Sequence, residues 1–196
     1  NRISLCICLL LWLANCSHGN LSVISRNVHI ESIVTDKNNI NKLKAEQINT
    51  EAMEIASTSA ETSAKMLLQA YDLDRSNWMI SANLANVYSN IEQQNLRDFS
   101  IEERQKLVKQ IFFFSENAIK LNPDHPGLLN NHGIFLKDYH REKTAIKFLK
   151  QAVHLDPTLS EAHAGLSDIY LAAGVTDKAI LQYKAALRAS TIHGSS

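Results

Sequence analysis

The chain has 196 residues, which is room for one domain or one array of short repeats. Its 20 Lys and Arg balance its 20 Asp and Glu, so no long-range field draws it toward nucleic acid, and we expect no nucleic-acid partner. With 45% hydrophobic residues and only 6 Gly and 3 Pro, the composition excludes a disordered chain and favours helices over a glycine-rich barrel or sandwich.

The first predicted element is a signal over residues 1–16. Residues 3–14 carry no charge, a length too short to span a bilayer and typical of a secretory signal core. Residues 13–16, Leu-Ala-Asn-Cys, resemble the bacterial lipobox, in which a small residue precedes a lipidated cysteine, although Asn15 stands where Gly, Ala or Ser is usual. The resemblance implies a lipid anchor at Cys16 on the periplasmic face of the outer membrane. The alternatives are plain cleavage after Cys16, giving a secreted or luminal protein, and a retained anchor.

Residues 17–41 follow as a predicted flexible tether. They are rich in Ser and Asn and show no helical stripe of apolar residues. Fully extended, a segment of this length reaches roughly 80 Å, which is enough to hold a domain clear of a membrane.

The remainder of the chain repeats itself with a period of 34 residues. The Leu-Asn-Pro at 121–123 returns at 155–157 as Leu-Asp-Pro. Between and after these segments, small and large residues recur 34 positions apart. The first set is Gly133, Leu136, Ala145, Leu149 and Ala152, and the matching second set is Ser167, Tyr170, Ala179, Tyr183 and Ala186. This pattern resembles the tetratricopeptide repeat, in which two antiparallel helices, A and B, form each unit. The resemblance implies an all-α, right-handed superhelix of helix-turn-helix repeats.

The same alignment predicts four units. Residues 126–159 and 160–193 are regular repeats, 78–125 is a repeat with an insertion at 92–105, and 42–77 is a degenerate first repeat. The predicted helices lie near 42–56, 78–91, 101–121, 126–138, 142–155, 160–173 and 177–190. Ser100 with Glu103 and Thr58 with Glu61 have capping-box spacing and are expected to begin two B helices. Gly174 and His140 fall in A–B turns, where a left-handed residue is expected.

The resemblance also indicates where a ligand would bind. In this family the concave face is lined by helix A, chiefly at positions 2, 5, 6, 9 and 12–13. Those positions predict a groove for a protein or an extended peptide, and its residues are Asn86, Asn90, Asn130, Asn131, Ile134, Lys137, Asp168 and Leu171.

The predicted groove departs from the clamp by which some family members hold a C-terminal carboxylate. Asn86 and Asn131 match the two Asn positions of that clamp, whereas its cationic positions hold Ala82, Glu161 and Gly165. Without those cations the groove cannot compensate a carboxylate for lost water. Neutral amides suit the backbone of an extended segment instead.

No residue pattern indicates catalysis, a metal or a cofactor. All three cysteines lie at or before Cys16, and none of the eight histidines has an i, i+4 partner. The organisation of signal, lipidated cysteine and repeats resembles that of lipoproteins that assist envelope and pilus assembly. We therefore expect a non-catalytic, membrane-anchored scaffold. The alternative is a partner-recruiting repeat segment of a larger enzyme, such as a glycosyltransferase.

The last predicted helix suggests self-association. In stacked repeats, helix B of one unit packs on helix A of the next. The last B helix carries Ile180, Tyr183 and Leu187 at helical spacing. A continuation of the chain, a partner protein or a second copy could cover these side chains, and we expect a second copy.

Overall fold

The computed structural model describes residues 37–95 and 97–193. The predicted signal, Cys16 and most of the predicted tether lie outside these residues. The described chain is all helical and contains no strand, which confirms the predicted fold class. Its helices are α1 (Lys37–Glu54), α2 (Ala60–Leu73), α3 (Trp78–Gln94), α4 (Ile101–Leu121), α5 (Pro126–Asp138), α6 (Glu142–Leu155), α7 (Ser160–Ala172) and α8 (Thr176–His193).

The helices pair as the repeat predicts. Helices α3 and α4, α5 and α6, and α7 and α8 pack against each other as A and B helices, and each A helix also contacts a helix of the preceding unit. The starts of α3, α5 and α7 coincide with the predicted repeat starts at 78, 126 and 160. Both predicted left-handed residues are confirmed, because φ is 56° at His140 and 71° at Gly174.

The first unit differs from its prediction in two places. Helix α1 begins at Lys37, so the predicted boundary between tether and repeat at 41/42 falls inside a helix. Its buried face carries only Ala45 and Ala52, with Ile48 half-buried, and small residues give a weak periodic signal. The predicted capping box at Thr58 and Glu61 is wrong. Helix α2 begins one residue later, with Ser59 as its N-cap and no side-chain bond to a backbone amide.

The insertion at 92–105 lengthens two helices. Helix α3 has 17 residues and α4 has 21, whereas α5 has 13 and α6 has 14. The predicted capping box at Ser100 is confirmed: its Oγ accepts the Glu103 N–H at 3.2 Å, and its own N–H donates to Glu103 Oε2 at 2.9 Å. The added segments are joined by an ion pair between the buried Glu92 and Arg104.

Close contact between helices explains the small residues of the repeat. A Cβ atom on Gly133 would lie 2.7 Å from Leu149 Cγ, and one on Gly165 would lie 3.2 Å from Leu149 Cδ1. Leu149 of α6 therefore packs against its own helix A and against helix A of the next unit. A side chain at Gly133 would clash with Leu149, and one at Gly165 would press on it.

No helix among the described residues has an apolar stretch long enough to cross a bilayer.

Candidate functional site

The A helices of three successive units line one open groove. Local capping sets where two of them begin: Asn77 Oδ1 accepts the Met79 N–H at 3.0 Å at the start of α3, and His125 Nδ1 accepts the Leu128 N–H at 3.3 Å at the start of α5. The groove encloses about 480 Å³ and is lined by Asn86, Ser89, Asn90 and Gln93 of α3, by Asn130, Asn131, Ile134, Phe135 and Lys137 of α5, and by Glu161, Ala164, Gly165 and Asp168 of α7.

A row of side-chain amides crosses the groove from α3 to α7. Asn131 Nδ2 donates to Asn86 Oδ1 at 3.4 Å, and Asn130 Nδ2 donates both to Asn131 Oδ1 and to Glu161 Oε2 at 3.2 Å. These bonds join residues up to 45 positions apart. We call this the amide row. It orients four polar side chains in advance, so a ligand that binds them does not have to order them.

One helical turn further along α5 and α7 lies an apolar row. It consists of Ile134 on α5 and Ala164 with Gly165 on α7, and the polar Ser89 and Asn90 lie at the same level of α3. A Cβ atom on Gly165 would lie 2.7 Å from Ile134 Cδ1. The missing side chain therefore leaves the Ile134 methyl as part of the groove floor.

A third row lies one further helical turn along the helices and carries two of the charged residues of the groove. Gln93 lies on α3, Lys137 on α5 and Asp168 on α7. Lys137 Nζ is 3.1 Å from Asp168 Oδ2 and 3.7 Å from Asp138 Oδ1. The lysine charge is thus compensated within the protein.

One oxygen atom of the amide row accepts no hydrogen bond from the described residues. Asn130 is 2% exposed, and its Oδ1 accepts no hydrogen bond within the described chain. Leaving a buried acceptor unpaired costs about 1–3 kcal/mol. Because the amide nitrogen is bonded to the Glu161 carboxylate, reversing the side chain would set its oxygen against a negative charge. The Glu161 contact therefore fixes this orientation of the amide.

The structure brings together seven of the eight predicted groove residues. Asn86, Asn90, Asn130, Asn131, Ile134, Lys137 and Asp168 all line the groove. Leu171 lies apart from them and is 63% exposed in the last turn of α7. Leu171 lies 34 residues after Lys137, which contacts the next A helix. No described A helix follows α7 to contact Leu171 in the same way. Binding by these residues stays a prediction.

Four groove residues were not predicted from the sequence. Ser89, Gln93, Phe135 and Ala164 also line it. Ser89 and Gln93 lie three and seven residues after Asn86, on the same helix face, and that spacing was the available signal. Gln93 belongs to the insertion, which lengthens α3 and therefore deepens the groove at that side. The clamp positions Glu161 and Gly165 line it too, whereas Ala82 does not.

Metal ligation has no support in the described part of the chain, where no three His, Cys, Asp or Glu residues are grouped as a metal ion would require.

Comparison with known proteins identifies the fold through structure alone. No family model matches the sequence, and no curated protein is significantly similar to it. Solved structures do match. The crystal structure of MamA superposes with a TM-score of 0.64 at 14% identity, covering 92% of this chain and 100% of MamA.

Two further structures agree with the first. PilF of Pseudomonas aeruginosa matches with a TM-score of 0.62 at 20% identity, covering 76% of this chain and 62% of PilF. TTC0263, a TPR protein of Thermus thermophilus, matches with a TM-score of 0.65 at 20% identity, covering 75% of this chain and 74% of TTC0263. The chain therefore has the tetratricopeptide-repeat fold.

Proposed function

We propose that this chain is a non-catalytic scaffold that binds an extended segment of a partner protein in the groove formed by α3, α5 and α7. The amide row carries the proposal. Side-chain amides offer both donors and acceptors, which is what the backbone of an extended peptide presents. The apolar row beside it provides a floor on which a ligand side chain is removed from water.

Asn90 provides the sharpest test of this function. It is exposed on the groove face of α3 and makes no hydrogen bond within the described chain, so its removal leaves the scaffold intact. Peptides would be selected on the purified protein from a random library, and their affinities measured by fluorescence anisotropy. Asn90→Ala should weaken the selected peptides by about two- to tenfold, the loss of one hydrogen bond.

The matched control is Gln151→Ala, which truncates an exposed polar side chain on α6, outside the groove. We expect this variant to bind as the parent does. A library that yields no peptide, or peptides that bind Asn90→Ala and the parent equally, would count against the proposed function.

We further propose that the scaffold is held on the periplasmic face of the outer membrane by lipid at Cys16 and assists assembly of an envelope complex. The support is the lipobox-like Leu-Ala-Asn-Cys at 13–16. In a Gram-negative host the protein should incorporate labelled palmitate and fractionate with membranes, and Cys16→Ser should abolish both. If the Cys16→Ala and Cys16→Ser proteins are labelled as strongly as the parent, the lipid anchor is refuted.

Finally, we propose that two copies associate through α8. The support is a contrast between equivalent positions: Leu149 is fully buried under α7, whereas Tyr183, 34 residues later, is 58% exposed.

A further inference from the structure

The charges of the groove do not balance, and the imbalance lies at one residue. Three charged side chains line it: Lys137, Glu161 and Asp168. Lys137 and Asp168 neutralise each other at 3.1 Å. Glu161 accepts a hydrogen bond from Asn130 at 3.2 Å but forms no ion pair within the described chain. Its carboxylate is therefore the uncompensated charge of the groove.

The position of Glu161 places that charge next to the apolar row. Along α7, Glu161 precedes Ala164 and Gly165 by one turn, and Asp168 follows them by one turn. Adjacent rows are thus about 5.4 Å apart, the pitch of a helix. In an extended chain, residues i and i+2 point to the same side and lie roughly 6.6 Å apart. Two such residues match two adjacent rows.

From this arrangement we infer the chemistry of the bound segment: an apolar residue on the floor at Ile134 and Gly165, and a Lys or Arg two residues away that pairs with Glu161. The inference rests on the proposed function. It excludes segments with Asp or Glu at the second position, because their carboxylates would face Glu161. It also excludes recognition of a free C-terminal carboxylate in the amide row.

The amide row strengthens this assignment. Asn130 Nδ2 donates a hydrogen bond to Oε2 of Glu161, and Asn130 is itself buried among the A helices. The carboxylate is therefore positioned before a ligand arrives, although the residue is exposed. A cation that pairs with it does not have to order a mobile side chain, which is the main cost of most surface ion pairs.

Short labelled peptides test the inference directly. Their sequence would be Ser-Gly-Leu-Gly-Xaa-Gly-Ser, acetylated and amidated so that the ends carry no charge, with Lys, Ser or Glu as Xaa. On the purified protein at low salt, the Lys peptide should bind about two- to fivefold more tightly than the Ser peptide, the scale of an exposed ion pair. The Glu peptide should bind more weakly than both, and added salt should reduce these differences.

Glu161→Gln is the diagnostic variant, because its amide oxygen still accepts from Asn130 while its charge is gone. It should bind the Lys and Ser peptides equally. Glu116→Gln, at an exposed carboxylate on α4 outside the groove, should behave as the parent does.

The outcomes separate the two proposals. Measurable binding of all three peptides with equal affinity would overturn the charge inference and leave the proposed groove standing. If neither these peptides nor any from the random library bind, the proposed function fails and the inference fails with it. A preference for Lys that persists in Glu161→Gln would show that another carboxylate is responsible.

Discussion

His132 shows how a polar residue is accommodated inside this fold. It is 3% exposed on α5, its Nδ1 lies 2.9 Å from Ser115 Oγ, and its ring meets the edges of Phe112 and Phe148. Burial, with a smaller contribution from the Arg141 charge, lowers the pKa of His132 from 6.5 to about 4. The imidazole is therefore neutral in the folded protein at physiological pH.

This depressed pKa predicts loss of stability in mild acid. Between pH 6.5 and 4 the unfolded chain binds a proton at His132 and the folded chain does not, so the free energy of unfolding falls as the pH falls. The contribution of His132 is about 3 kcal/mol over that range. Urea unfolding at pH 7.5 and 4.5 would measure it. His132→Gln should lose less stability on acidification than the parent, and His154→Gln, at an exposed histidine on α6, should match the parent. Equal pH dependence in all three proteins would be inconsistent with this account.

Two other residues illustrate backbone requirements. His140 and Gly174 occupy equivalent A–B turns, and both have a positive φ. Beside Gly174 nothing lies within 4 Å of the position that a Cβ would occupy, so its conformation, not space, favours glycine there. His140 adopts the same conformation at the modest cost of a side chain in the left-handed region.

At the scale of the element, the insertion is the feature that distinguishes the second unit. Its two helical extensions are tied by Glu92 and Arg104, and they reach the next unit through Tyr139. Burial raises the pKa of Tyr139 to about 12, together with the nearby Glu92 carboxylate, which also accepts a hydrogen bond from the Tyr139 hydroxyl. The insertion is therefore packed against the following repeat.

The contrast between two N-caps gives a prediction for the elements. Ser100 caps α4 through the Glu103 N–H, whereas the Ser59 hydroxyl bonds only to Thr62 Oγ1 at 2.7 Å. Ser100→Ala should lower the free energy of unfolding by about 1 kcal/mol, because an orphan amide loses its acceptor. Ser59→Ala should cost less than about 0.5 kcal/mol. Chemical denaturation of the two variants measures both values, and equal losses would mean that the capping box does not stabilise α4.

At the scale of the whole molecule, one face of α8 is uncovered among the described residues. Ile180, Tyr183 and Leu187 of α8 are exposed, whereas among the equivalent residues of α6 Leu149 is buried against α7 and Ile146 and Val153 are half-buried. Burying a large apolar side chain contributes roughly 1.5–3 kcal/mol. Burying the exposed parts of three such side chains in each copy would favour association.

The uncovered face of α8 predicts self-association that charge would disrupt. Sedimentation of the purified protein from micromolar to millimolar concentration should show a dimer that Tyr183→Glu or Leu187→Glu weakens. Phe113→Glu is the matched control, since Phe113 is 56% exposed on α4 and lies outside α8. A monomer at every concentration, unchanged in the α8 variants, would exclude this interface.

The sequence by itself determined the helices and their order. The 34-residue period and the small residues at Gly133, Ala145 and Ala152 mark the two helices of one repeat, and the capping box at Ser100 marks the first turn of α4. For that reason the predicted bounds of α4, α5 and α6 coincide with the observed ones. Helix α1 lacked such signals, because its buried positions hold alanine.

The tertiary structure alone decided which side chains meet. The bonds from Asn131 to Asn86, from Asn130 to Glu161 and from Lys137 to Asp168 join residues 31 to 45 positions apart. Their existence depends on how one A helix is offset against the next, which no local pattern encodes. The insertion in α3 placed Gln93 in the groove, whereas Leu171 and Tyr183 are exposed because no described repeat packs against them as the next repeat packs against Lys137 and Leu149. Helix formation is a local property of the chain, whereas burial and pairing depend on the neighbouring repeat.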